Sequence, residues 1–288
     1  MTRGVSVIIP TYEAWPILYR TLCTVAHDCR ELGEPWELII VDNESGAEFR
    51  ASVVAFANAH PEVRFIGRSG LGGKHFQPGA ARNIGIDSSR YESLIFLDAD
   101  CIPSADLIGA YRRWTDKQPD TVFVGHRVFV DTTDIDAAHV AEQRSVLAGL
   151  APVGSASNYG SDIERRLPEL LSLEAHPRAY DCMYACNMAV HRDCIGDLRF
   201  SSAFDGKWGY EDIELGYRLH LAGRSFRYLP EAFVFHQEGG SLSADEREAG
   251  RYDNFVIAGE LIEGFVEYRR GIARLRSVPS RDLPCISE

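Results

Sequence analysis

Two pairs of carboxylates in this chain fall where chemistry could use them. Asp98-Ala99-Asp100 closes the apolar run SLIFLD (93–98), and Glu211-Asp212 opens a helical pattern in WGYEDIELGYRL (208–219). Carboxylates one residue apart, where a strand gives way to a loop, suit a hard divalent cation: their oxygens bind Mg2+ or Mn2+ and leave positions open for phosphates. His236, at the end of EAFVFH, adds an imidazole at another strand end and would tilt such a site toward Mn2+. Each feature has a plainer explanation. Asp-x-Asp is common by chance, a lone strand-end histidine is more often structural, and acids at a helix start are stabilised by the helix dipole. Trp208 and Gly209 ahead of two adjacent acids make a rarer combination. A third segment, GLGGKHFQPGAARN (70–83), brings glycines, Lys74 and Arg82 between a strand and a helix, where amides and cations could meet a diphosphate. Its glycines do not make the dinucleotide fingerprint, so a nicotinamide-binding domain is not expected.

The elements that must position these residues alternate. VSVIIP (5–10), ELIIVD (37–42) and SLIFLD (93–98) are apolar without polar alternation, as parallel strands covered on both faces are, and VRFIG (63–67) fits a fourth. Helical patterns cover 14–32, 47–59 and 79–88 between them. The order implies a right-handed parallel α/β half-sheet, in which ligands bind beyond the carboxyl ends of the strands. Pro10-Thr11-Tyr12-Glu13, Asp42-Asn43-Glu44-Ser45 and Asp98-Ala99-Asp100 all fall on that rim. Any one of them reads as a cap or turn; three together read as a ligand site.

After residue 120 the texture changes. TVFVGHRVFV (121–130) reads as a strand, 137–150 as helical, and 151–169 as a surface loop poor in apolar anchors; residues 151–180 are expected to close as a lid. Strand-like pieces follow at 226–229 and 232–235. A helix is predicted from about 244 to 270, with Phe255, Ile262, Phe265 and Val266 on one face. For the basic tail RRGIARLR (269–276) the default is a solvated helix end, and contact with phosphate-bearing acceptors or a membrane surface is the sharper alternative.

Bulk properties set limits. The 288 residues are 45% hydrophobic and 25% charged, enough for a substantial core, and the formal charge of −12 opposes a general nucleic-acid surface. No signal-peptide succession opens the chain and no run of about 18 apolar residues occurs, so a cytoplasmic protein without an integral membrane segment is expected. Seven cysteines lack a regular framework and read as reduced thiols. Cys182, Cys186 and Cys194 with His191 do not have the spacing of a zinc knuckle.

VSVIIPTYE, ELIIVDNES, GAARNIGI, IFLDAD and WGYEDIELGYRL, in this order, resemble the family 2 glycosyltransferases of the GT-A fold. The last segment is especially similar to chondroitin-polymerase-type and galactosyltransferase-type domains. The resemblance covers roughly residues 4–240 and implies one α/β domain with a Rossmann-like, mostly parallel sheet. Within it, 1–120 would be the nucleotide-sugar half and 121–240 the acceptor-side half, followed by a helical extension over 241–288. It implies a nucleotide-sugar donor, with UDP as the family prior, and Mn2+ or Mg2+. Pro10, Tyr12, Glu13 and Asp42 would surround base and ribose, Arg82 would lie near the nucleotide, and Asp98 on the ribose or metal side. Asp100 and His236 would hold the metal. Asp212 matches the catalytic base, Glu211 would contact acceptor or sugar hydroxyls, and Trp208 would line that pocket. Two departures stand out: Cys101 occupies a position where a polar or acidic residue is common, and Tyr210 replaces a frequent glycine. No Gln-x-x-Arg-Trp motif follows Asp212, so one sugar per encounter is expected rather than processive synthesis.

Two rival readings differ in kind. A haloacid-dehalogenase-like phosphatase also places Asp-x-Asp after an apolar strand, but there it ends the first core strand and continues Gly-Thr, whereas here it follows three strands and continues Cys-Ile-Pro. A catalytically silent nucleotide-sugar-binding protein would need no base, which the Glu-Asp pair argues against. Slow hydrolysis of a nucleotide sugar without acceptor would separate the two. Donor sugar and acceptor carry no readable motif.

Overall fold

A computed structural model describes residues 2–142, 144–155, 161–238 and 244–275. Strand β1 (Thr2–Thr11), helix α1 (Trp15–Glu31), β2 (Trp36–Asp42), α2 (Ala47–Asn58), β3 (Val63–Gly67), α3 (Pro78–Ser88) and β4 (Tyr91–Leu97) alternate as the apolar runs predict. They are followed by β5 (Cys101–Pro103), α4 (Leu107–Lys117), β6 (Thr121–Val124), β7 (Arg127–Val130), β8 (Asn187–His191), β9 (Ser225–Tyr228) and β10 (Val234–Gln237). The main sheet has seven strands in the order β3-β2-β1-β4-β8-β6-β9. Only β8 runs against the others, pairing antiparallel with both β4 and β6. The α/β, mostly parallel sheet is therefore the expected one.

Why these runs are apolar on both faces is visible in the packing. Val7 and Ile9 of β1 join a cluster with Leu18, Leu22 and Val25 of α1, while Ile8 faces the opposite layer with Ile86 and Phe96. Helix α3 lies close against β1, because a Cβ at Gly85 would come within 2.3 Å of Ile8. Any side chain there would push α3 outward, and Arg82 is one turn earlier on the same helix.

Three expectations for the second half need correction. TVFVGHRVFV is two strands in two sheets: β6 stays in the main sheet, and β7 joins β5 and β10 in a three-stranded sheet. The switch at 125–126 is bolted by Asn187, whose amide donates to His126 O (3.2 Å) and Ala232 O (2.8 Å) while accepting from the Tyr111 hydroxyl (2.7 Å). The helix predicted over 244–270 is also two, Ala244–Leu261 and Phe265–Leu275, broken at Gly264, whose φ of +65° ends a helix. Phe255, Ile262 and Phe265 are buried as that face required, in the same cluster as Ile8 and Phe96.

The third correction concerns the lid. Residues 156–160 lie outside the described residues, but from Glu164 onward the segment is anchored. Leu170, Leu173 and Tyr180 enter the core. Glu164, only 3% exposed, is held by Arg127 (2.7 and 3.0 Å) and Arg166 (3.0 Å). Charged residues that read as solvated in the sequence form a buried ion network, so 164–180 is a wall and not a lid. In the basic tail, Arg269 is tied to Asp181 at 2.9 Å, and residue 276 lies outside the described residues. No helix among the described residues is long and apolar enough to cross a membrane.

Candidate active site

The three loops expected on one rim meet there. Thr11 of β1 is in register with Asp42 of β2, and Asn43 N donates to Thr11 O at 2.9 Å. Pro10 is buried at the end of β1. Glu13 N donates to the Ser45 hydroxyl (2.9 Å), and the Glu13 carboxylate accepts from Gly46 N (2.6 Å). Asp42 is fully buried and spends its oxygens on Ser45 and on Arg50 Nε (2.7 Å). The Tyr12 ring stacks on His75, with centroids 4.7 Å apart and planes 9° from parallel. The glycine-rich loop does bind an anion, but one supplied by the protein. Gly70 N and Leu71 N donate to Glu44 at 2.6 and 3.0 Å, and the Gly70 amide helps hold that carboxyl below its usual range.

Arg82 joins the two acidic pairs. It is 2% exposed, and its guanidinium donates to Asp98 Oδ1 (2.6 Å) and to Glu211 Oε1 (3.0 Å), with its planar end 5.4 Å from the Phe200 ring. A cation on α3 thus holds a carboxylate 129 positions further along the chain as well as Asp98. One guanidinium cannot neutralise Asp98, Glu211 and Asp212 together, and the excess negative charge favours the protonated form of the buried pair. Burial, then the neighbouring Asp212, push the Glu211 carboxyl up to about 7 despite Arg82. Burial raises Asp212 as well, against Arg82 and two backbone amides. Those amides are Ala185 N on Oδ2 (3.2 Å) and Ile213 N on Oδ1 (2.8 Å), so the carboxylate is held at both ends.

Tyr210 explains its own oddity. Its φ of +73° is a left-handed conformation that a glycine would adopt freely, and a side chain there costs on the order of 1 kcal/mol. The ring offsets this by packing edge-on against Phe255 and Phe265, with centroids 5.9 and 5.5 Å away. The other left-handed non-glycine residues among those described are Glu13, Ala14 and Glu44, all on the opposite rim. Strain of this kind concentrates at functional sites. Trp208 is half-buried, and its loop is braced by Asn254, whose amide donates to Lys207 O (3.1 Å) and Gly209 O (2.9 Å). Neither Asn254 nor the Ala185 amide has a motif that sequence reading could find.

Asp100 and His236 come together as predicted. His236 Nε2 is 3.6 Å from Asp100 Oδ2, and its Nδ1 is 3.4 Å from Glu238 Oε1. Burial works to lower the imidazole pKa, but Asp100 and Glu238 raise it above the ordinary value. Cys101 completes a group whose ligand atoms all lie within 4.8 Å of one another, a donor set that fits a divalent ion. Cys182, Cys186 and Cys194 are buried free thiols, and they form no such group with His191 among the described residues.

A parallel sheet with acidic strand ends, a candidate ion site and a second, buried acidic pair defines a group-transfer enzyme of the GT-A fold. The sequence model of glycosyl transferase family 2 matches residues 6–159, more than half of the chain, and the chain belongs to that family. It is 26% identical over 270 residues to chondroitin synthase of Pasteurella multocida, covering 90% of this chain but 27% of that protein. The chain thus spans about a quarter of that relative's length. Among solved structures, GalNAc-T7 with UDP, GalNAc and Mn2+ superposes with a TM-score of 0.61 at 16% identity, over 96% of this chain and 52% of that one. A mannosyltransferase from Pyrobaculum calidifontis in complex with GDP-Man and Mn2+ gives 0.58 at 16% identity, over 99% and 73%.

Proposed function

We propose that this chain transfers a single sugar from a nucleotide-sugar donor, read as a UDP-sugar, to an acceptor hydroxyl, with inversion at the anomeric carbon. The observation that carries this reading is the Arg82 bridge, which holds the Asp98 end and the Glu211-Asp212 end in one rigid frame. Tyr12, Pro10, Glu13 and Asp42 form the base and ribose side. The flat Tyr12–His75 stack offers a surface for a planar base. Asp98 and Arg82 lie between that side and the acceptor side. A divalent ion, Mn2+ or Mg2+, held by Asp100 and His236 would supply charge neutralisation for the departing diphosphate.

Asp212 acts as general base. Its carboxylate is oriented by the Ala185 and Ile213 amides, and its raised pKa brings it closer to the working pH of a proton acceptor. An acceptor hydroxyl attacking opposite the leaving diphosphate gives up its proton as the bond forms, and Asp212 receives it. Glu211 meets acceptor or sugar hydroxyls as a partly protonated group that can donate as well as accept. Trp208 lines the acceptor side. The chondroitin synthase relationship favours a glycan acceptor.

Calorimetric titration of UDP with Mn2+, then with chelator, tests this reading. Binding should need the ion, because the diphosphate otherwise faces Asp98 and Asp100 across a few ångströms. Asp100→Ala should weaken Mn2+-dependent binding about tenfold or more without loss of fold. Equal UDP affinity with and without the ion would remove the metal from the site.

A further inference from the structure

The residue after Asp-x-Asp is a cysteine, and it does not point away. β5 and β10 are antiparallel with Cys101 directly opposite His236, so the two side chains leave the same face of that small sheet. Cys101 is fully buried, and its Sγ is 3.5 Å from Asp100 Oδ1. His236 Nε2 is 3.6 Å from the other oxygen of the same carboxylate. For bonds of about 2.0–2.3 Å to nitrogen, oxygen and sulfur, two corners of a tetrahedron lie about 3.4–3.6 Å apart. Sγ and Nε2 each lie about that far from Asp100, though from its two different oxygens, and one ligand atom from each of the three residues lies within 4.8 Å of the others. Glu238 Oε1 lies 3.4 Å from His236 Nδ1, beside the ring nitrogen that does not face Asp100.

We propose that Cys101 is a third protein ligand, making Asp100–Cys101–His236 a site that prefers a thiophilic divalent ion of the Zn2+ class over Mn2+ or Mg2+. The proposal rests on the reading of Asp100 and His236 as metal ligands. Oxygen and imidazole donors alone accept Mn2+, Mg2+ or Zn2+; a thiolate shifts the order toward Zn2+, Co2+ and Cd2+. Binding breaks the S–H bond and forms an S–metal bond, and the proton leaves to the buffer. Three protein ligands leave one tetrahedral position open, where a diphosphate oxygen can bind.

Co2+ is the probe, because its thiolate complexes absorb in the near ultraviolet and its oxygen and nitrogen complexes do not. The full chain titrated with Co2+ should develop that band, and Zn2+ should abolish it by displacement. Cys186→Ser should keep the band, whereas Cys101→Ser and Cys101→Ala should lose it. Zn2+ affinity, measured by chelator competition, should fall about tenfold or more in both Cys101 variants. Mn2+ affinity should change less than about threefold, since Mn2+ gains little from sulfur. No band in the wild-type chain, or a band that survives in Cys101→Ser, overturns the thiolate ligand; if Mn2+ still binds, the Asp100–His236 reading stands. Failure of every ion to bind overturns both.

Discussion

The two rims of the site are held together by different physics. On the donor rim, carboxylates are satisfied largely by hydroxyls and backbone amides of adjoining loops: Asp42 by Ser45 and also by Arg50, Glu13 by Gly46 and Glu44 by the amides of Gly70 and Leu71. Sheet pairing already brings those loops together. On the acceptor side, charges meet charges out of water, as in Arg82 with Glu211 and Glu164 with Arg127 and Arg166. The first rim is a product of the sheet; the second depends on buried ion pairs. Losing one partner should therefore cost much more on the second, because a buried charge left alone has no solvent to turn to.

The largest effect that contrast predicts is at Arg82. Arg82→Met should destabilise the chain by about 3–5 kcal/mol at pH 8, because Asp98, Glu211 and Asp212 lose their shared cation and Glu211, pushed up still further, must hold its proton in the folded chain while it ionises in the unfolded one. The same swap at the half-buried Arg50 should cost less, about 1.5–3 kcal/mol, because Asp42, although buried, keeps its bonds from Ser45. Urea denaturation of the two variants makes the comparison directly. Equal losses would mean that the rims do not differ in this way.

The same contrast decides what was readable in advance. The first four strands and three helices follow from apolar runs of the right length between turn residues, and the rim follows because polar residues end each run. Asp98, Asp100, His236 and Asp212 stood out as polar groups at the ends of elements. The second half hid its logic. Glu164 looked solvated because its partner Arg127 is 37 residues away and no periodicity links them, and Arg166 looked solvated with it. The 121–130 run looked like one strand because hydrophobicity does not report which sheet a residue enters. Asn254 and the Ala185 amide hold the Trp208 loop and Asp212 by contacts that no local pattern encodes.

The next effect concerns the base. Asp212→Asn keeps an oxygen for one of the Ala185 and Ile213 amides and turns its NH2 toward the other, so stability should fall by about 1–3 kcal/mol while the fold and donor binding are retained. Turnover should fall about 100-fold or more, the scale of a lost general base. A role confined to stabilising the first turn of its helix would leave turnover near the wild-type value. Product carrying the donor's anomeric configuration would exclude the single displacement in which Asp212 serves.

The smallest effect is also the most diagnostic of the contrast, because the rims move their carboxyls in opposite directions. Gly70 N lowers Glu44 on the donor rim, while burial and Asp212 raise Glu211 to about 7 on the acceptor rim. A carboxyl with a raised folded-state pKa binds its proton more tightly in the folded chain than in the unfolded one. The stability it contributes is fully present below its unfolded value near 4.5 and is lost as pH rises through about 7. Asp212 is shifted in the same direction, so the two act together. Glu211→Gln keeps an oxygen for Arg82 Nη1 but cannot ionise. Its urea midpoint should therefore decline less between pH 5 and pH 8 than the wild-type midpoint, a difference on the order of 1–3 kcal/mol in stability. Glu44→Gln, on the donor rim, should not flatten that decline. Parallel pH profiles for wild type and Glu211→Gln would show that Arg82 keeps Glu211 ionised, and the acceptor rim would then carry its excess charge elsewhere.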